Sequence, residues 1–126
     1  MTKAIIIKLI TMYSLAYNID PKIALSVVEI ESGYNQNAIG VTKDIGLFQL
    51  NPNSFPEYTQ NELLSPELNI KLGVKYLAKM KKECKYKEDN LWLICWNIGK
   101  NYKKPINHPR LFPYIKKINI VMGRNL

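Results

Sequence analysis

The chain has 126 residues, enough for one domain and too few for a multidomain enzyme or a long repeat array. Hydrophobic residues make up 47% and charged residues 22%, a globular balance that excludes a disordered or fibrous chain. Eighteen Lys and Arg against ten Asp and Glu leave a net charge of +8, which favours an anionic partner: nucleic acid, a membrane surface or the acidic polymers of a bacterial envelope.

Apolar side chains at Ile6, Leu9, Ile10, Tyr13 and Tyr17 recur at close to the helical period, predicting an amphipathic helix over 3–17. The apolar run Ala4 to Ile7 is broken by Lys8, too short for a membrane span. Met12 to Ala16 makes a poor cleavage site, so no signal peptide is expected. Asp20-Pro21 reads as N-cap and first helical position of a second helix, which runs to about Ser32 and stops at Gly33. Residues 34–51 lose the period and carry Gly40 and Gly46, as a short hairpin or irregular loop does. Ser65-Pro66-Glu67 repeats the capped start. Leu68, Leu72, Tyr76, Leu77 and Met80 mark a third helix whose last turn, Lys79 to Lys82, suits a negative helix end. Leu91 to Trp96 is apolar all round, as expected of a helix through the middle of a small domain, with Gly99 as its stop. A last helix begins near Leu111 or Pro113 and continues through Tyr114, Ile115, Ile118 and Val121. The sum is a single mainly α-helical α+β domain over 1–126, with a short β-hairpin or loop insertion after the second helix.

The second helix holds the informative residue. At roughly 100° per residue, the apolar arc of Ile23, Ala24, Val27, Val28 and Ile30 centres near 70°; Glu31 falls at about 80° and Glu29 at about 240°. Glu29 is thus expected to face solvent and Glu31 the core side. Burial disfavours an ionised carboxylate, and the negative end of the helix pushes the same way. A carboxylic acid that keeps its proton near neutral pH is what a general acid for glycosidic cleavage requires. On the helix alone, Glu31 serves equally as a buried anchor paired with a Lys or with backbone donors.

Glu31-Ser32-Gly33-Tyr34-Asn35, then Ala38, then Gly46-Leu47-Phe48-Gln49-Leu50-Asn51 resembles the motif shared across the lysozyme superfamily. Asn69-Ile70-Lys71-Leu72-Gly73-Val74-Lys75-Tyr76-Leu77 and Trp96-Asn97-Ile98-Gly99 resemble two further segments of soluble lytic transglycosylases, close to the small ones of secretion systems, conjugation systems and phages. The resemblance implies a lysozyme-like fold and cleavage of the β-1,4 bond between N-acetylmuramic acid and N-acetylglucosamine in peptidoglycan, without metal or organic cofactor. It implies Glu31 as general acid/base, a supporting hydroxyl at Ser32, close backbone approach at Gly46, and substrate contacts from Gln49 and Asn97. Tyr34, Trp96 and Tyr102 are aromatic candidates for stacking on a sugar ring.

In two places the sequence departs from the transglycosylase pattern. Trp96 stands where a tyrosine usually precedes the Asn, leaving Tyr102 or Tyr76 to supply a phenol, and Gly40 stands where many members carry a serine. Asp44, two residues before Gly46, matches the second catalytic carboxylate of animal-type lysozymes, or else is a turn residue after Thr42-Lys43. Two mechanisms follow: a lytic transglycosylase that leaves 1,6-anhydro ends using Glu31, and a hydrolytic lysozyme using Glu31 with Asp44. The expected partner is the peptidoglycan glycan strand, met by a monomer in the periplasm or outside the cell after delivery by phage, lysis or a secretion machine. A non-catalytic glycan-binding or virion structural protein is a remoter reading. A nucleic-acid binder lacks a helix-turn-helix, zinc-finger or RNA-binding aromatic pattern to support it. Cys84 and Cys95 are read first as two partly buried thiols, with a disulfide between adjacent helices as the alternative.

Overall fold

The computed structural model describes residues 1–87, 89–98 and 111–124. Helix α1 spans Lys3–Ala16, capped by the Thr2 hydroxyl, which accepts from the Ile5 amide. Helix α2 spans Pro21–Ser32; Asp20 accepts from the Lys22 amide at its start, and Gly33 closes it in the left-handed conformation at φ 59°. Both ends lie where the capping residues place them.

The insertion after α2 contains isolated bridges, Ile39 with Ile45 and Ile45 with Leu50, rather than a paired hairpin. A 3-10 turn at Pro52–Ser54 and a short helix α3, Gln60–Leu64, then lead into α4, Pro66–Glu83. The sequence reading left out α3, although Thr59 and Glu62 form a capping box in which each side chain accepts from the other residue's amide. Ser65 starts α4 without a side-chain cap, because it also closes α3.

The buried face of α4 is formed by Asn69, Ile70, Gly73, Val74, Leu77 and Met80, rotated from the expected Leu68, Leu72 and Tyr76 edge, which is only partly covered. Helix α5 spans Leu93–Ile98 and begins two residues later than expected; its proposed stop at Gly99 lies outside the described residues. Helix α6 spans Leu111–Arg124 and buries Tyr114, Ile118 and Val121 at helical spacing.

Helix α2 packs between α1 and α6, α4 packs on α1, α3 and α5, and α5 closes against α6. A single hydrophobic cluster joins these helices, with Ile10, Val27, Phe48, Val74, Leu77 and Ile118 fully buried. Glu29, expected in solvent, is half-buried because α6 covers its side of α2; it lines a hollow of about 250 Å³ with Ile30, Lys117, Ile120 and Val121. A wheel drawn for α2 alone has no knowledge of α6.

Cys84 and Cys95 form a disulfide rather than two thiols. Cys84 caps α4 and Cys95 sits inside α5, with Cα atoms 5.9 Å apart, so the bond ties the two helices together. Among the described residues, no helix is long and apolar enough to cross a membrane.

Candidate active site

Segment 38–51 is held in place by α4. Asn69, fully buried, accepts from the Phe48 amide at 2.8 Å and donates to the carbonyls of Ile45 at 2.9 Å and Leu63 at 2.8 Å. Gly46 turns at φ 75°, and a Cβ there would stand 2.4 Å from Asn69 Nδ2. One turn along α4, Gly73 leaves room for the Phe48 ring, 2.3 Å from where a Cβ would be. The Asn69 and Gly73 of the sequence motif are thus the polar hook and the gap that receive the Gly46–Phe48 turn. The close approach of Asn69 requires a glycine at position 46.

Next along the chain, Gln49 sits at φ 50° and spends both amide donations on backbone, to Ala38 O at 3.2 Å and Gly46 O at 3.0 Å. Its oxygen lies against Gly40, where a Cβ would come within 2.5 Å of it, so the glycine in place of a serine makes room for Gln49.

This frame opens a cleft of about 480 Å³. Glu31 enters it from the last turn of α2, Thr42, Asp44 and Gln49 from the insertion, Asn51, Ser54 and Phe55 from the following turn, Tyr76 from α4, and Trp96 and Asn97 from α5. No lysine or arginine among the described residues lines it.

The Trp96 indole N–H donates to Glu31 Oε2 at 3.2 Å. The indole ring is held edge-on by Phe48, at 6.0 Å, and by Tyr76, at 5.6 Å, and Phe55 backs Tyr76 at 5.8 Å. Burial of the Glu31 carboxyl, opposed by the Trp96 donor and assisted by the charge of Asp44, raises its pKa from 4.5 to about 7. Asp44 accepts from the Thr42 hydroxyl on Oδ2 at 2.9 Å, while its buried Oδ1 has no hydrogen-bond partner. The Asn97 Oδ1 is likewise buried and unpartnered. Two acceptors beside the cleft are therefore buried without a donor.

Of the residues singled out in the sequence, the cleft gathers Glu31, Asp44, Gln49, Trp96 and Asn97. Ser32 turns back along its helix and donates to Val28 O, and it does not line the cleft. Tyr34 is drawn away, its hydroxyl donating to Leu25 O and its ring covered by the Lys3 ammonium at 4.6 Å. Tyr102 lies outside the described residues.

The sequence reading passed over Tyr114. Its hydroxyl is buried without a hydrogen-bond partner, and burial together with the nearby Glu31 charge holds its pKa well above 10. The Trp96 N–H tempers that rise without reaching hydrogen-bond geometry, since its bond goes to Glu31. Tyr114 falls in the core period of α6, so nothing in the sequence distinguishes it from packing. A phenol is thus supplied to the Glu31 surroundings from the last helix. Among the described residues, no group of three or more His, Cys, Asp or Glu side chains is arranged to hold a metal ion.

The site is thus a polar cleft with one partly buried acid at a helix end. Residues 8–110 match the family model described as the transglycosylase SLT domain, and the chain belongs to that family. It is 30% identical over 81 residues to the membrane-bound lytic murein transglycosylase E of Buchnera aphidicola subsp. Baizongia pistaciae, an alignment covering 56% of this chain and 38% of that protein. It is 35% identical over 74 residues to the endo-type membrane-bound lytic murein transglycosylase A of Salmonella paratyphi B, covering 50% of this chain and 36% of that protein. The chain therefore spans well under half the length of these relatives.

Proposed function

We propose that this chain is a peptidoglycan lytic transglycosylase acting on the cell wall, with Glu31 as its single acid/base. The observation that carries this reading is the Glu31 carboxyl, partly buried in the lining of a polar cleft and held protonated up to about pH 7. Family membership and the names of the similar proteins support the reaction class.

In the proposed reaction the Glu31 proton passes to the glycosidic oxygen as its bond to C1 of the N-acetylmuramic acid breaks. Positive charge develops at C1, and Glu31, now a carboxylate, lines the same cleft as Asp44. Glu31 then takes the proton of the sugar's own C6 hydroxyl while that oxygen bonds C1, closing a 1,6-anhydro ring. The acid is restored and no water is consumed. Asp44 and Asn97, which line the cleft, are side chains of the kinds that bind sugar hydroxyls and N-acetyl N–H groups.

The test is digestion of purified peptidoglycan followed by mass spectrometry. Anhydro ends, one water lighter than hydrolysed ends, are expected from the native chain, and no release from a folded Glu31→Gln variant. Hydrolysed ends, or lysis retained by that variant, would overturn the reading.

A further inference from the structure

Glu31, which lines the cleft, receives the indole N–H of Trp96 on Oε2, while Oε1 has no hydrogen bond from the described residues. An indole N–H donates and cannot accept. A proton placed on Oε2 would leave the indole only the poorer, hydroxyl-type acceptor, so the neutral acid keeps its carbonyl oxygen toward the indole and its proton on Oε1. A phenol at this position, able both to donate and to accept, would impose no such choice. The ring is not free to turn aside: Phe48 and Tyr76 flank it edge-on, and the adjoining Cys95 is bonded to Cys84.

We propose that Trp96 is a positioning residue that divides the Glu31 carboxyl between two tasks. Oε2 is held by the indole throughout, and Oε1 alone gives its proton to the glycosidic oxygen and takes one back from the C6 hydroxyl. The second half of this statement rests on the transglycosylase reading; the first does not. The groups facing Glu31 are Asp44 from the insertion and Tyr114 from α6, with Tyr76 of α4 across the same cleft. Asp44 disfavours the carboxylate and Trp96 favours it, so removing the indole moves Glu31 further toward its neutral form.

The chain has two tryptophans, so a proton–nitrogen correlation spectrum of the full-length protein shows two indole signals. One is expected to move with pH through a midpoint near 7, matching Glu31, and to stay still in Glu31→Gln. In Trp96→Phe that signal disappears, and the alkaline fall in the rate of glycan cleavage is expected to move up by roughly one pH unit, with the plateau kcat lowered and KM little changed. A ring that only stacks on sugar would raise KM and leave the pH profile in place. Two indole signals insensitive to pH, or an unmoved alkaline limb in Trp96→Phe, would overturn the proposal. The spectrum of the native chain decides the first point even if the variant fails to fold. A titrating indole in a chain whose Glu31→Gln variant still cleaves would remove the role given to Oε1 and the catalytic reading with it.

Discussion

Replacing Glu31 by Gln is expected to abolish cleavage and, above neutral pH, to make the protein more stable. The folded chain holds the Glu31 proton up to about pH 7, whereas an unfolded chain releases it near 4.5. Below about pH 4.5 both states are protonated and the acid costs nothing. As pH rises from there toward 7, only the unfolded state sheds its proton, so stability falls with pH across this window and levels off above it. At roughly 1.4 kcal/mol per pH unit, the gap between the two values is worth about 3 kcal/mol, a large share of the 5 to 15 kcal/mol that holds a typical domain together. The amide introduced in Glu31→Gln keeps an oxygen that accepts from Trp96 and carries no charge to desolvate. Urea titrations of both proteins at pH 4 and pH 8 are expected to give nearly equal stabilities at the lower pH. At the higher pH the variant should be ahead by about 3 kcal/mol, or roughly 10 °C in Tm. Equal stabilities at pH 8, or the same difference at both pH values, would refute the claim that desolvation holds the Glu31 proton.

Asn69→Ala leaves the Phe48 amide and two carbonyls buried without partners, and is expected to cost about 3 to 6 kcal/mol, read as a lower urea midpoint at unchanged slope. Reducing the Cys84–Cys95 bond opens a loop of sequence separation 11 and is expected to cost about 3 kcal/mol; thermal unfolding with and without reductant measures it, and a Cys84→Ser, Cys95→Ser double variant should show no response to reductant. Asp44→Asn removes a charge that raises the Glu31 pKa, so the alkaline limb of the cleavage rate should move to lower pH while the product remains the anhydro sugar. Loss of nearly all activity in that variant would favour the hydrolytic mechanism.

Features written locally in the chain were legible in the sequence. The start of α2 at Asp20-Pro21 and its stop at Gly33 follow from residues at the helix ends themselves, and the wheel of α2 set Glu31 on its core side from that segment's pattern alone. What arises between distant segments was not legible. Cys84 and Cys95 meet because α4 and α5 cross, Glu29 is covered because α6 lies over it, and Tyr114 reaches the acid from 83 positions further along the chain. Ser32 and Tyr34 adjoin the acid in sequence, yet their side chains satisfy their hydroxyls on backbone carbonyls within or beside α2. Trp96 was read as a stacking surface because its ring is conspicuous; its N–H bond to Glu31 appears only once α5 is set against α2. The short α3 was recoverable from its capping box, but five residues are too few to show a period.

The hold of α4 on the Gly46–Phe48 turn has a consequence for anyone wishing to redesign this cleft. Gly46, Phe48, Asn69 and Gly73 form one unit in which a hook, a hinge, a ring and a notch each presuppose the others. Grafting residues 38–51 from a cousin with a different ring at position 48 would leave that ring without a matching notch, and altering the notch first would evict the ring already there. Substrate preference in this scaffold is therefore easier to diversify at the rim, at Thr42, Ser54 or Phe55, than along the turn, which has to be exchanged together with the helix that grips it.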